Sequence, residues 1–348
     1  MKRTLAGIGA AALGLTTAAL GMSSPAVAAT STNYVALGDS YSAGVGAGNY
    51  YSDDTDCSRS PDSFAAQIAA EQGLSLSLEA CSGAVVSDLA EQYPALSADT
   101  GLVTLTVGGN DIGFGPVVTE CLKPGWWGDC DAAIADANEI LVNDLPGQLD
   151  GVYAEIARRS PDATVVVAGY PRLFNGEDCH VATFFSDDEM AKLNTKADEL
   201  NQTIEDRVDA AGFTYTDVAA PFVGHAVCDD PEWIHNVRVP AVGESFHPKL
   251  DGHTAYAEAI APDLVGAADS ELFQTQNLPQ WQVQTGAATS ADTDRGAIVL
   301  PDLDSAEARA AAEAAGISDA EVEALKSAQA KGGQNLTGAE AAAVANAQ

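Results

Sequence analysis

The feature that most constrains the fold is an alternation of short apolar, β-branched runs with helical patterns along the chain. Buried strands are indicated by the runs YVAL (34–37), SLSLEAC, GLVTLTVGGND, ATVVVAGYP and FTYTDV. Helical patterns separate these runs, and a last helix is predicted to start in HPKLDGH. Strands that alternate with helices favour an α/β sandwich with a mostly parallel sheet, whose active residues gather at the carboxyl ends of the strands.

Capping residues mark several of the predicted helices. In SPDSFAAQIAAEQG, Ser60 is a plausible N-cap and Gly73 ends the helix. A long amphipathic helix opens with a capping box, Ser186-x-x-Glu189, and closes at Gly212. The stretch DAAIADANEILVNDLPGQLDGVYAEIARRSP is helical with an interruption near Pro146.

The chain begins with the features of an export signal. Lys2 and Arg3 precede an apolar run of small residues and an Ala-x-Ala site, which predicts cleavage after Ala28 or Ala29. We therefore interpret residues 1–29 as a signal peptide and expect a secreted, extracellular protein.

The charge of the chain excludes one class of partner. Sixteen Lys and Arg residues against fifty Asp and Glu residues give a formal net charge of −34. Such an acidic surface repels nucleic acid and anionic membranes. No stretch after the leader is long and apolar enough to span a bilayer, so we expect a soluble monomer without a stable membrane anchor.

The six cysteines are expected to form disulfides. An even number of cysteines in an oxidising compartment favours disulfides over metal ligation, and the chain has no C-x-x-C pair. Six cysteines allow fifteen connectivities, and the sequence alone does not choose among them. Sequential pairing closes the shortest loops and is the pairing we favour for these residues: Cys57, Cys81, Cys121, Cys130, Cys179 and Cys228.

Polar motifs follow three of the predicted strands. Ser40 lies in GDSYSAG directly after YVAL, Gly83 lies in CSGA, and Asn110 lies in TVGGND. A lone serine in such a turn is usually a turn residue or a helix cap. A nucleophilic serine also needs a base within hydrogen-bond reach and donors for the oxyanion, and the Asn110 amide and a main-chain N–H at Gly83 are candidate donors.

The candidate base is one of five histidines. His247 in GESFHPKLDGH is favoured, because Pro248 fixes the backbone directly after the ring. His253 is the rival, but it lies inside the predicted helix start, where a packing role is commoner.

In this order, the blocks GDSYSAG, CSGA, GGND and FHP resemble the SGNH (GDSL-type) esterase and lipase family, especially its secreted actinobacterial branch with three disulfides. The resemblance covers residues 34–264. It implies a three-layer α/β/α sandwich with a five-stranded parallel sheet and, for that branch, sequential disulfides. We therefore interpret residues 30–284 as an SGNH hydrolase catalytic domain. Residues 285–348 are interpreted as an Ala/Glu-rich linker and short-helix extension, whose removal from residue 286 onward leaves turnover largely intact.

The resemblance also implies roles for single residues. Ser40 would be the nucleophile and His247 the general base. The main-chain N–H groups of Ser40 and Gly83 and the side-chain amide of Asn110 would bind the oxyanion.

One position departs from the family pattern. Many members carry Asp three residues before the histidine, whereas this chain has Glu244 there. Some actinobacterial relatives orient the ring with a main-chain carbonyl two residues before the histidine, which here belongs to Ser245. Both groups remain candidates, and we favour the carbonyl because the longer acid side chain need not reach the ring.

The sequence thus predicts an exported serine ester hydrolase without a metal or organic cofactor, and the branch resemblance favours lipid or fatty-acyl esters as substrates. A carbohydrate acetylesterase of the same fold and a non-catalytic exported binding protein are the alternatives. The tryptophan-bearing segments CLKPGWWGDC and DDPEWIHNV either line an acyl or sugar site or are loop aromatics held near disulfides.

Overall fold

A parallel sheet organises the structure, a computed structural model that describes residues 32–181, 183–266, 283–285, 296–332 and 335–348. The predicted signal peptide, residues 1–29, lies outside these residues. Within them the strand order is β5-β4-β3-β1-β2-β6 and every neighbouring pair is parallel. The strands are β1 (Asn33–Gly38), β2 (Ser75–Leu78), β3 (Leu102–Thr106), β4 (Thr164–Ala168), β5 (Thr214–Thr216) and β6 (Val283–Thr285).

Helices connect the strands and continue after them. They are α1 (Ser40–Ala43), α2 (Phe64–Gln72), α3 (Leu89–Gln92), α4 (Phe114–Cys121), α5 (Cys130–Asn143), α6 (Leu145–Arg159), α7 (Asp187–Ala211), α8 (Leu250–Val265), α9 (Ala306–Ala315), α10 (Asp319–Ala330) and α11 (Gly338–Ala347).

The predicted α/β fold is confirmed. Strands β1 to β5 form the five-stranded parallel sheet of the prediction, and the short β6 extends it beyond β2. All five residues of β3 are buried, as are Val165, Val166 and Val167 in β4. Such continuous apolar strands are typical of a parallel sheet that helices cover on both faces.

The chain reverses its direction across the sheet at β1. From β1 the chain adds β2 on one side, and then returns to add β3, β4 and β5 on the other. Crossovers between parallel strands are right-handed, so the connections on the two sides of β1 lie on opposite faces of the sheet. Helix α2 covers one face and packs against α8, and the helices α4 to α7 cover the other face. In open α/β sheets the binding crevice lies at the carboxyl ends of the strands at this switch point, which here is the end of β1.

Gly38 allows the close contact between the ends of β1 and β3. Its φ is +124°, and a Cβ at this position would lie 2.2 Å from the main-chain oxygen of Thr106. Directly after it, the N–H of Asp39 donates to that same oxygen at 3.0 Å. Only glycine fits this position, and the turn that it permits presents Ser40 at the switch point.

Most helix limits follow the sequence signals. Helix α7 has the predicted capping box at Ser186 and ends at Gly212, and the helical stretch near Pro146 breaks between α5 and α6. The predicted N-cap Ser60 is wrong, because Ser63 caps α2 by accepting from the N–H of Ala66. The Ser60 hydroxyl instead accepts from the N–H of Asp62 within the preceding turn.

Three disulfides hold loops around the sheet. Cys57–Cys81 joins the loop after α1 to the segment after β2, Cys121–Cys130 closes the connection between α4 and α5, and Cys179–Cys228 ties the segment before α7 to the loop after β5. This is the sequential connectivity.

The C-terminal helices belong to the same compact unit, Ser31–Gln348. Their N-caps are Ser305, Ser318 and Thr337. The sequence-based boundary between residues 284 and 285 falls inside this unit and within β6. Beyond this boundary Ile298 is buried in the main core, which argues against the expectation that removal from residue 286 onward leaves turnover intact. Among the described helices, none combines the length and apolarity needed to cross a membrane.

Candidate active site

Ser40 lies at the first position of α1, directly after β1. Asp39 caps this short helix by accepting from the N–H of Tyr41 at 3.0 Å. The Ser40 hydroxyl oxygen lies 2.7 Å from Nε2 of His247, 207 residues further along the chain. The fold therefore brings the predicted nucleophile and the predicted base into direct hydrogen-bond contact.

The backbone around His247 is held by pairing and packing. The N–H of His235 donates to the carbonyl of His247, and the N–H of Phe246 donates to the carbonyl of His235, both at 2.9 Å. Phe246 has a φ of +60°, which is unfavourable for a residue with a side chain. Its buried ring packs against Phe174 and Phe185, and these contacts hold the strained backbone that presents the imidazole.

A main-chain carbonyl contacts the second nitrogen of the His247 ring. Nδ1 lies 3.0 Å from the carbonyl oxygen of Ser245. The Glu244 carboxylate points elsewhere: it accepts from the hydroxyl of Tyr50 at 2.7 Å and pairs with Arg238 at 2.8 Å. Of the two candidate orienting groups, the structure brings the Ser245 carbonyl to the ring.

Burial lowers the pKa of His247 to about 4, against a smaller opposing effect from the hydrogen bond with Ser245. The ring is therefore neutral near pH 7. Because a carbonyl can only accept, Nδ1 carries the proton and donates it to Ser245. Nε2 is then the free acceptor for the Ser40 hydroxyl, which is the tautomer that a general base requires.

The two other predicted oxyanion residues line the same cavity as Ser40. Gly83 follows β2 and Asn110 follows β3, so all three come from the ends of neighbouring strands. The Asn110 side-chain nitrogen donates one proton to the carbonyl of Ala84 at 2.9 Å, which fixes the amide and leaves its second proton for a ligand. Within the described residues, the main-chain N–H groups of Ser40 and Gly83 donate to no protein acceptor.

A buried network that sequence reasoning missed connects these turns. The Asp39 carboxylate accepts from the hydroxyls of Thr106 at 2.7 Å and Tyr170 at 2.5 Å, and the Tyr170 hydroxyl accepts from the N–H of Gly109. Burial raises the pKa of Asp39 to about 6, although these hydrogen bonds favour its charged form. The signal was present, because Tyr170 directly follows the strand ATVVVAG, where active residues gather.

The cavity around Ser40 and His247 has a volume of about 650 Å³, within the usual range of small-molecule sites. Two sets of residues line the cavity, one apolar and one polar. The apolar wall comes mainly from α4, α5 and α7 and includes Ile112, Phe114, Val117, Ile134, Leu193 and Leu200. The polar wall comes from loops and includes Tyr50, Thr55, Ser58, Ser82 and Glu244.

The tryptophans of the two aromatic segments do not line this cavity. Trp126 and Trp127 pack against the C-terminal helices. Trp233 stacks on His225 with ring centroids 3.5 Å apart and contacts Phe222. These side chains are loop aromatics near disulfides, which was the second of the two interpretations.

The rival histidine, His253, lies fully buried in α8 away from Ser40. Its Nε2 contacts the carbonyl of Val45 at 3.1 Å, and burial lowers its pKa to about 4. The ring is thus a structural group that holds the loop after α1.

This burial makes a prediction about acid stability. A histidine with a lowered pKa stabilises the folded protein above about pH 6.5, and this contribution is lost as the pH falls through the folded-state pKa. The unfolding free energy of the wild type, relative to that of His253→Gln, should therefore fall by on the order of 3 kcal/mol between pH 7.5 and pH 4. Urea titrations of both proteins across this range measure the difference, and a constant difference would contradict the assignment.

Comparisons with known proteins give a family match and several similar proteins. A family model described as the GDSL-like lipase/acylhydrolase family matches residues 36–255. Lipase 1 of Streptomyces coelicolor is 42% identical over 238 residues, which are 68% of this chain and 86% of that protein.

Two crystal structures are also similar at 40% sequence identity. Phospholipase A1 from Streptomyces albidoflavus NA297 has a TM-score of 0.63, covering 66% of this chain and 98% of that one. The extracellular lipase from Streptomyces rimosus has a TM-score of 0.61, covering 66% of this chain and 97% of that one.

Proposed function

Because the chain belongs to the GDSL-like lipase/acylhydrolase family, whose members hydrolyse carboxylic esters, we propose that it is an exported hydrolase that cleaves fatty-acyl esters through an acyl-enzyme on Ser40. The observation that carries this proposal is the 2.7 Å contact between Ser40 Oγ and His247 Nε2 at the wall of a cavity with an apolar side.

The reaction follows from the positions of these groups. His247 Nε2 takes the hydroxyl proton while Ser40 Oγ bonds to the ester carbonyl carbon. The N–H groups of Ser40 and Gly83 and the free proton of the Asn110 amide stabilise the resulting oxyanion. The bond to the alcohol then breaks, and His247 returns the proton to the leaving oxygen. A water molecule repeats both steps on the acyl-enzyme and releases the carboxylic acid.

The carbonyl of Ser245, rather than a carboxylate, would orient His247. In this arrangement Glu244→Gln leaves kcat within about fivefold of the wild type, because the residue acts on Tyr50 and Arg238 and not on the ring. Where an acid of a triad does orient the histidine, its conversion to an amide lowers kcat by about 10⁴-fold. Steady-state hydrolysis of p-nitrophenyl butyrate measures the effect, and a loss of a hundredfold or more would assign the orienting role to Glu244.

The apolar wall supports a fatty-acyl substrate over an acetylated sugar. An acetyl group buries little apolar surface, whereas a longer chain could cover the side chains from α4, α5 and α7 and gain about 0.8 kcal/mol for each buried methylene. The polar lining residues from the loops would face the alcohol part of the ester.

Export is part of the proposal. The leader pattern at residues 1–29 and the three disulfides fit an oxidising compartment outside the cell, and the similar Streptomyces rimosus enzyme is an extracellular lipase. Sequencing the N-terminus of protein recovered from the culture medium tests this, and a start at residue 1 would contradict it.

Substrate profiling of the purified mature enzyme tests the proposed activity. We expect p-nitrophenyl esters of medium and long acyl chains to be cleaved with a higher kcat/KM than the acetate. A preference for an acetylated glycan would instead favour the acetylesterase. A fluorophosphonate probe should label Ser40, and a folded protein that is neither labelled nor active would be a binding protein.

A further inference from the structure

A short segment beyond the family match runs along the cavity. We call residues 296–300 the C-terminal strap. Gly296 and Ala297 line the cavity. Ile298 is buried in the main core, and the N–H of Val299 donates to the Thr119 hydroxyl at 3.1 Å. The strap thus follows α4, the helix that contributes Phe114 and Val117 to the apolar wall.

The strap and α4 approach each other through their backbones. A Cβ on Gly115 would lie 2.7 Å from the carbonyl carbon of Gly296. A Cβ on Gly296 would lie 2.8 Å from the Asn110 side-chain oxygen and 3.7 Å from the Cα of Gly83. No side chain fits at either glycine without a shift. Gly296 therefore lies beside Asn110 and near Gly83, the two residues that we assign to oxyanion binding besides Ser40.

The strap does not fill the site. The cavity of about 650 Å³ exists with the strap in place and contains Ser40 and His247 in its lining. The segment is thus a wall of an open cavity and not a plug that must leave before a substrate can bind.

A second apolar cluster forms where the chain continues beyond the strap. The main-chain N–H of Gly125 donates to the carbonyl of Ala347 at 2.7 Å, and Trp126 and Trp127 pack against the cluster. The buried members are Phe184, Leu303, Ala312, Val322, Leu325, Ala343 and Ala347. The C-terminal helices are therefore fixed to the α4–α5 connection and to the segment before α7, next to the helices that form the apolar wall.

The strap lies beyond the part of the chain that the family model matches. The family model's match ends at residue 255. In the two similar crystal structures, at least 97% of the other chain aligns with 66% of this chain. About a third of this chain therefore has no counterpart in those structures.

We propose that Gly296 and Ala297, the cavity-lining residues of the C-terminal strap, form the outer wall of the acyl-chain site and select among esters by the length of the acyl chain. This inference rests on the proposed ester hydrolysis and assigns a specificity-determining role to Ala297. A larger side chain at this position narrows the cavity beside the apolar wall, while Ser40, His247 and the oxyanion donors stay in place. An acetyl group still fits, and a long chain does not.

Ala297→Phe tests the proposal, with Val299→Phe as the matched control because Val299 is 64% exposed. Apolar sites commonly discriminate by about tenfold or more for small changes in fit. We expect Ala297→Phe to lower kcat/KM for p-nitrophenyl octanoate and decanoate by at least about tenfold while the acetate value stays within about twofold. Val299→Phe should leave all three values unchanged. Ala297→Leu introduces a smaller side chain and should lower kcat/KM for octanoate and decanoate by less than Ala297→Phe. It replaces Ala297→Phe as the test if that variant does not fold.

The outcomes separate this inference from the proposed function. If both Ala297 variants kept the wild-type kcat/KM values for acetate, octanoate and decanoate, the proposal that the strap limits acyl-chain length would be wrong. An equal loss on acetate and decanoate would also overturn it, since the strap would then act only on the catalytic groups. A wild-type enzyme that cleaves none of the esters would refute the proposed hydrolysis itself.

Discussion

Ser40→Ala should lower kcat for p-nitrophenyl esters by on the order of 10⁵-fold, as the loss of a nucleophile does in enzymes that act through an acyl-enzyme. The reason is that the substitution removes the oxygen that lies 2.7 Å from His247 Nε2 and would form the covalent bond. The small remaining rate would come from substrate binding and from the oxyanion donors alone.

The control for this variant is Ser75→Ala, a change of the same size at an exposed position of β2. Its turnover should match the wild type, and both variants should unfold at the same urea concentration as the wild type. A Ser40→Ala protein that keeps more than a hundredth of the wild-type kcat would place the nucleophile elsewhere.

His247→Gln should be nearly as severe, with a loss of about 10⁴-fold or more in kcat. Glutamine cannot take up the hydroxyl proton, so Ser40 would have to attack as a neutral alcohol. Since nucleophile and base act as a unit, the double variant with Ser40→Ala should be no slower than the slower single variant. Steady-state kinetics of the three proteins at pH 7.5 measure this.

His253→Gln is the matched histidine control at that pH. It removes a buried ring of α8 that contacts Val45 and not Ser40, so turnover should stay within a few-fold of the wild type. If the two histidine variants lost activity equally, His247 would not be the base.

The fold could be predicted because its signals are local. The runs YVAL and ATVVVAGYP are short apolar stretches, as expected of buried strands, and a capping box fixes the start of α7 at Ser186. The failure at Ser60 is also local: two serines three residues apart both suit an N-cap, and the choice of Ser63 depends on the turn before α2.

The site could be predicted only in part from the residues themselves. Parallel strands place Ser40, Gly83 and Asn110 at one edge of the sheet, but the approach of His247 depends on a loop whose path no local pattern encodes. His247 was favoured because Pro248 follows it, and the family resemblance implied its role as the general base. Tyr170 was missed because its importance lies in a contact with Asp39 across 131 residues of chain.

The position of the C-terminal helices could not be predicted from the sequence for a different physical reason. Residues 285–348 contain too few large apolar residues to form a core of their own. The structure completes that core with Phe184, Trp126 and Trp127 from the preceding chain. When a segment packs against apolar residues from elsewhere in the chain, its own composition does not indicate where it packs.

The carbonyl beside His247 has a consequence for the acid tolerance of the catalytic pair. A carboxylate in that place would itself gain a proton on acidification and release the ring, whereas a peptide oxygen does not titrate in water at ordinary pH. The imidazole is then the one member of the pair that acid can switch off, and its own pKa is already depressed by burial. Such a pair keeps its geometry in mildly acidic surroundings.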